Sequence, residues 1–330
     1  MSGRQAGGRA AGDGGTTRLA PTLLASIVLL AVSAACAAGP APPEAARPAT
    51  PVLRVAASTP IFADIIANVG GERVAAIPII PPDADPHTYE AAPHDLLAVA
   101  ECDLFVFMGN FNEAFIEKGA WRRAVADAGV PEVKLADHLS LITVDLVIDH
   151  GDHVHDLRAG DPHVWLDPGK VIEMLPVLER ALAERDPAGA AAYAANAARY
   201  RDALRALEAE MQAGIDRIPP DRRKLVVFHD AYRYFAARYS FEVVGIVLKT
   251  PGGEPSAEEI ADLHRTIQAT GVPVIFKEPQ FRSVVVEQLA ADTGVRVGEL
   301  LTDNFVGRVE SYIDLMRFNL RSLVDHLAAA

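Results

Sequence analysis

Residues 187–218 read PAGAAAYAANAARYRDALRALEAEMQAGIDRI, and this stretch decides the architecture. It carries no strand signal, while Tyr193, Ala197, Tyr200, Leu204, Leu207 and Met211 recur at alternating intervals of four and three. That spacing lines six apolar side chains along one stripe of a single long helix. Pro219-Pro220 stops it, since proline lacks an amide hydrogen and its ring collides with the preceding turn. At 1.5 Å per residue the helix spans roughly 45 Å. Such a stripe needs a cover, which a coiled-coil partner or the rest of the same chain can supply. The sequence on either side favours the second, and a strut between two lobes would hold hinge closure to small motions.

Before the helix, LRVAAS (53–58) and VAAIPII (74–80) bracket a helical stretch from Ile61 to Val69. LFVFM (104–108) follows a helix around His94 to Ala100, and VKLA (133–136) follows another that contains Trp121. After it, the rhythm returns with LVVF (225–228), EVVGIVLK (242–249) and PVIFKE (273–278). Ser256 and Glu259 stand at the spacing of a capping box and open a helix between the last two. Apolar strands alternating with amphipathic helices predict parallel sheets covered on both faces. Two sets predict an α/β fold of two lobes, joined by a single long backbone helix. A further stripe, Tyr312, Leu315, Met316, Leu320, Leu323 and Leu327, predicts a C-terminal amphipathic helix packed on the second lobe.

The N-terminus reads as an export signal. Arg4, Arg9 and Arg18 precede the apolar run LLASIVLLAVSAA (23–35), which ends in small residues and Cys36. Its 13 residues fall short of the roughly 17–25 needed to span a bilayer. A cysteine directly after Ser33-Ala34-Ala35 resembles a bacterial lipoprotein cleavage site, although Ser33 stands where such sites usually carry Leu or Val. A plain secretory signal with an incidental cysteine is the alternative. The expected organisation is a lipoprotein signal peptide at 1–35, lipidated Cys36 with a Pro/Ala-rich tether at 36–51, an N-terminal lobe at 52–186, the backbone helix at 187–218 and a C-terminal lobe at 219–330. The tether, AAGPAPPEAARPATP after Cys36, has too few large apolar side chains to order itself.

Removing 1–35 takes away three arginines and one aspartate, leaving 28 basic and 43 acidic residues and a net charge of −15. Such a surface argues against nucleic acid and suits a protein that meets cations, though solubility alone also accounts for it. With Cys36 lipidated, Cys102 is the sole thiol, so no internal disulfide can form, and a core position is expected for it.

Ten histidines are present, and several stand in loops next to predicted strands or helices, where α/β sheets collect ligand-binding residues. His87 lies in DADPHTYE, His163 in GDPHVWLDP and His229 directly after LVVF; Asp303 lies in ELLTDNF after the short strand VRV (295–297). Pro86 and Pro162 precede the first two and fix the local backbone. Three imidazoles and a carboxylate at one point would form a closed four-coordinate N/O site suited to zinc. Spacing alone does not bring them together, because successive candidates are 66 to 76 residues apart.

Taken in order, DPHTYE, DPHVWLDP, HDAYRYF, PGGEPSAEEI and EPQF resemble the zinc- and manganese-binding solute-binding proteins of bacterial metal ABC transporters. The resemblance runs from about Leu53 to Leu327. It implies a metal in the cleft between the lobes, held by His87 and His163 from the first and by His229 and Asp303 from the second. It also implies a monomer that captures metal outside the cytoplasm, lipid-anchored at the outer face of the membrane or periplasmic, and delivers it to a membrane permease and its ATPase. One departure is visible: the family usually reads Pro-Ser-Asp where this chain has Pro93-His94-Asp95. His94 is either an extra metal contact or a surface residue at a helix start.

Imidazole suits zinc and manganese prefers more oxygen, so the set His87, His163, His229 and Asp303 points to Zn2+, with Mn2+ as the alternative cargo. The segment DHGDHVHD (149–156) adds His150, His153 and His155, either as a secondary metal-capture loop or as a solvated polar loop. Trp165 and Tyr89 are expected to pack around the site. Asp161 and Asp167 are each read as an acceptor for the free ring N–H of a ligand histidine, with turn-forming aspartates beside proline as the alternative, and Glu278 is expected to sit at the cleft without ligating. His138, His264 and His326 read as surface or packing residues. An extracytoplasmic zinc hydrolase is the competing class, since His87-Thr88-Tyr89-Glu90 has H-x-x-E spacing. A catalytic zinc keeps an open position, however, and four candidates close the shell, so no enzyme is expected. A surface adhesin on the same fold is a third reading.

Overall fold

The computed structural model describes residues 52–328 apart from 83, 146, 150–153, 250, 251 and 282. The signal segment 1–35, Cys36, the tether 36–51, His150 and His153 therefore lie outside the described residues.

Strand β1 (Leu53–Ala57) leads into helix α1 (Pro60–Gly70) and strand β2 (Val74–Pro78). Thr59 caps α1 by accepting from the Phe62 amide, and Pro60 takes the first turn, where a missing N–H costs nothing. Helix α2 (Pro93–Ala100), strand β3 (Leu104–Phe107), helices α3 (Ala114–Glu117) and α4 (Gly119–Ala128) and strand β4 (Glu132–Lys134) follow. The four strands form a parallel sheet in the order β2-β1-β3-β4. The expected strand 133–136 ends at Lys134 because residues 135–138 curl into a 3-10 turn.

Strands β5 (Val147–Asp149) and β6 (Val154–Asp156) form an antiparallel hairpin that pairs Ile148 with His155. The two ends of the polar His/Asp segment are thus strands, a pairing its alternation did not advertise. Helix α5 (Pro168–Arg185), capped by Asp167 through the Gly169 amide at 2.8 Å, completes this half.

The long helix is present as α6 (Ala190–Ile215), of 26 residues and about 39 Å. It is shorter than the sequence implied because residues 187–189 form a 3-10 turn and the chain leaves the helix after Ile215. All six residues of the expected stripe are buried, joined by Asn196 and Ile215. Helices α5 and α1 and the C-terminal helix cover the stripe, so this chain, and no coiled-coil partner, supplies the cover.

Strand β7 (Lys224–His229), helix α7 (Arg233–Tyr239), strand β8 (Glu242–Leu248), helix α8 (Ala257–Thr270), strand β9 (Val274–Lys277), helix α9 (Val284–Thr293), strand β10 (Arg296–Glu299) and helix α10 (Tyr312–Leu327) build the second lobe. β7 pairs with β8 and β9 with β10, both parallel, and β9 lies beside β7. The capping box at α8 is formed as expected, with Ser256 Oγ accepting the Glu259 amide and Glu259 accepting the Ser256 amide. The last strand sits one residue later than VRV suggested, at 296–299.

Strand residues alternate between faces, and the core follows that period. Val55, Ala57, Leu104 and Val106 of the four-stranded sheet, with Leu225 and Val227 of β7 and Val274 and Phe276 of β9, face one continuous core around α1, α5, α6 and α10. Ala56, Phe105 and Phe107 face a separate cluster in the first lobe, and Val226, Phe228 and Ile275 face another in the second. The shared core ties both lobes to the strut. Helix α10 adds to it, packing on α6 and reaching α1, where Asp64 accepts the Tyr312 amide at 2.9 Å. It therefore bridges the lobes, beyond the second-lobe packing that the apolar stripe suggested. Among the described residues, no helix is long and apolar enough to cross a membrane.

Candidate metal centre

Two of the four candidate residues sit in the same local device. In Asp85-Pro86-His87, Asp85 Oδ1 accepts the His87 amide at 2.9 Å; in Asp161-Pro162-His163, Asp161 Oδ1 accepts the His163 amide at 2.9 Å. An aspartate that bonds the backbone two residues on, with a proline of fixed φ between, holds each histidine at the exit of a tight turn. His229 is the last residue of β7, and Asp303 lies in the loop between β10 and α10. Loops and strand ends from both lobes thus meet.

They meet closely. Each of His87, His163, His229 and Asp303 offers a ligand atom such that all lie within 4.8 Å of one another, and all four residues are buried. The three imidazole centroids stand 5.2, 5.3 and 5.7 Å apart, close to an equilateral triangle. His87 Nε2 is 3.1 Å from His163 Nε2, and His229 Nε2 is 3.4 Å from Asp303 Oδ2. A tetrahedral zinc with ligand bonds near 2.0–2.1 Å sets its donors about 3.3 Å apart, so both spacings match such an ion.

Each donor has a partner behind it. His163 Nδ1 bonds Asp161 Oδ1 at 2.8 Å, His229 Nδ1 bonds Glu278 Oε1 at 2.5 Å, and the Thr302 hydroxyl donates to Glu278 Oε2 while its oxygen lies 3.1 Å from Asp303 Oδ2. These bonds leave the Nε2 atoms of His163 and His229 as the donors toward the centre, the usual way a protein orients metal-ligating imidazoles. His87 Nδ1 lies 3.4 Å from the Phe111 carbonyl. That carbonyl belongs to a turn in which Gly109, Asn110 and Phe111 all have positive φ, an arrangement rare for residues with a side chain. Buried Glu113 holds the turn, accepting the Met108 amide at 3.0 Å, the Gly109 amide at 2.9 Å and the Ser58 hydroxyl. Glu113 was not singled out in the sequence; a lone Glu after Asn112 carries no pattern that marks it.

Burial disfavours a charged His229 ring, but the carboxylates of Glu278 and Asp303 outweigh it and raise its pKa to about 10. Burial raises Asp303 to about 7 against the opposing pull of His229. Asp161 is likewise raised by burial, opposed by the His163 amide and by Arg233. The surrounding carboxylates thus favour positive charge at this point of the pocket.

The other expected residues divide. Trp165 is buried beside His163, with ring centroids 5.5 Å apart. Tyr89 donates to Asp95 at 2.8 Å and packs edge-on to Phe115. Asp161, and not Asp167, accepts a ligand ring N–H; Asp167 is occupied as the cap of α5. Glu278 stands behind His229 as a partner. His94 is an exposed residue of the first turn of α2, 3.2 Å from Asp95. His326 packs against Phe276, and Cys102 is buried. Of His155 only its backbone pairing lies within the described structure.

The family model described as "Zinc-uptake complex component A periplasmic" matches residues 55–326. The manganese-binding lipoprotein MntA of Halalkalibacterium halodurans is 32% identical over 282 residues, covering 84% of this chain and 89% of that protein. The manganese ABC transporter substrate-binding lipoprotein PsaA of Streptococcus mitis is 27% identical, covering 93% and 98%. Among solved structures, the periplasmic zinc-binding protein TroA of Treponema pallidum aligns with a TM-score of 0.72 at 23% identity, over 84% of this chain and 100% of that one. The Mn-bound periplasmic metal-binding protein of Candidatus Liberibacter asiaticus aligns at 0.70 and 21%, over 83% and 98%. At these identities the two structures speak to the fold.

Proposed function

The chain belongs to the periplasmic zinc-uptake complex component A family, and from that premise we propose that it captures zinc outside the cytoplasm and hands it to an ABC-transporter permease driven by an ATPase. The proteins of this kind are substrate-binding components of metal ABC transporters and not enzymes. The observation that carries the reading is the convergence of His87, His163, His229 and Asp303 on one buried point from four separate loops and strand ends. Three imidazoles and a carboxylate fill a tetrahedral shell with no position left for a reacting water, which suits cargo held for transport.

The His229 ring stands between the carboxylates of Glu278 and Asp303; zinc would be held by His87 and His163 from one lobe and by His229 and Asp303 from the other. Asp161 and Glu278 would keep the ring nitrogens aimed inward. We assign the lobes to 52–186 and 219–330 with 187–218 between them, and anchorage to Cys36, in keeping with the lipoprotein names of the relatives.

Manganese is the second reading, favoured by the names of MntA and PsaA. Against it, the pocket offers a single ligand carboxylate, and Glu278 is already engaged by His229 and Thr302. Titrating the metal-stripped domain from Val52 with zinc and with manganese under a competing chelator separates the two. Tight one-site zinc binding that is lost in His229→Ala supports zinc capture. Equal or tighter manganese binding replaces the cargo, and no tight site for either metal refutes the centre.

A further inference from the structure

The segment that carries Asp303 is fastened to the opposite lobe on both sides of the carboxylate. On one side, the Thr302 carbonyl accepts the Trp165 Nε1 hydrogen at 2.8 Å, and Trp165 stands two residues beyond His163. On the other, Asn304 Nδ2 donates to the Ala84 carbonyl, three residues before His87. Asn304 is 1% exposed, an unusual place for an amide unless its hydrogen bond is wanted there. His229 differs: it ends strand β7 of its own lobe, and Glu278 from that lobe holds its ring.

We propose that Asn304 is a positioning residue that binds the Asp303 loop to the His87 turn, so that the fourth ligand is delivered across the cleft and withdrawn only when this bond breaks. The inference rests on the metal-capture reading above. Its consequence is kinetic. Asp303 sits with the two histidines of the first lobe, and parting of Asn304 from Ala84 is the step that opens the shell. Losing the donor removes this part-buried hydrogen bond from the closed state, so metal should leave about fivefold to tenfold faster. Entry of metal into the open state is unaffected.

The test uses the metal-stripped mature protein loaded with zinc alone. Association and dissociation are followed by stopped flow against a fluorescent chelator in wild type, Asn304→Ala and the near-isosteric Asn304→Leu. Both variants should release zinc at least fivefold faster with association unchanged within twofold. In an Asp303→Ala background the same substitutions should have no further effect on release, because the bond acts through that carboxylate. Unchanged release, or an undiminished effect without Asp303, overturns the proposal. Hydrogen exchange of the metal-free protein supplies an arm independent of binding: amides at 302–306 should exchange faster in Asn304→Leu, and unchanged exchange also overturns it. Absence of tight metal binding by wild type would refute the capture reading itself, and the exchange arm would then decide the role of Asn304.

Discussion

Replacing His229 by alanine should weaken the metal-free fold as well as its grip on metal. In the structure the ring lies between two carboxylates, Glu278 Oε1 at 2.5 Å from Nδ1 and Asp303 Oδ2 at 3.4 Å from Nε2, each carboxylate 1% exposed. Removing one partner of a buried ion pair costs about 3–5 kcal/mol, because the remaining charge is stranded away from water. Against a total stability of about 5–15 kcal/mol that is a large share. The pH dependence has a definite sign. The folded-state pKa of His229 is raised, so its contribution in wild type is full below about 6.5 and is lost only as pH climbs toward about 10. Asp303 is also raised, to about 7, so the fold favours its protonated form and is penalised as pH rises through that value. Without the imidazolium this preference strengthens. The deficit of His229→Ala should therefore be about 3–5 kcal/mol near pH 6 and smaller near pH 10, where the wild-type ring also loses its charge. Urea unfolding of the metal-stripped proteins, followed by the fluorescence of Trp121 and Trp165, measures it. A variant within about 1 kcal/mol of wild type at pH 6, or a deficit that grows as pH rises toward 10, would refute this account of the pocket.

Three further outcomes follow from the same structure. Zinc displaces protons from imidazole, so apparent affinity should fall between pH 7.5 and 5.5 by about tenfold per pH unit for each proton displaced; flat affinity in a chelator titration would contradict histidine ligation. Leu204→Ala in the fully buried stripe of α6 should cost about 2–5 kcal/mol in urea unfolding, whereas a loss under 1 kcal/mol would mean that the strut is not packed as described. Ser256→Ala, which removes the capping hydroxyl of α8, should cost about 0.5–2 kcal/mol and leave zinc affinity unchanged, and a change in affinity would show that the cap is coupled to the pocket.

Local period carried much of the fold in advance. The stripe from Tyr193 to Met211 marked the strut because every third or fourth side chain is apolar, and the short Val/Ile/Leu runs marked parallel strands because both of their faces are buried. Edges were harder to read. Nothing in VKLA announces that Leu135 turns into a 3-10 coil, and nothing in DHGDHVHD announces that its ends pair. The four candidate ligands were visible as residue types beside prolines and strand ends, but their meeting depends on contacts across 66 to 76 residues, which no local pattern encodes. The supporting layer was the least legible. Glu113 and Asn304 act through backbone carbonyls and amides brought near by the fold, and a backbone group leaves no mark in the residue sequence.

Helix α10 lies on α6 and α1, and Asp303 stands in the loop that leads into it. In the order of synthesis, then, the pocket is among the last features to exist. A growing chain can lay down the first sheet and the strut while two histidine turns wait without their opposing donors, since contacts so distant in sequence form only after the loop between them is made. A polypeptide that meets metal ions before β7 emerges has two of these imidazoles to offer and no cage. The geometry thus defers assembly of the four-residue cluster until the segment that carries Asp303 has joined the fold.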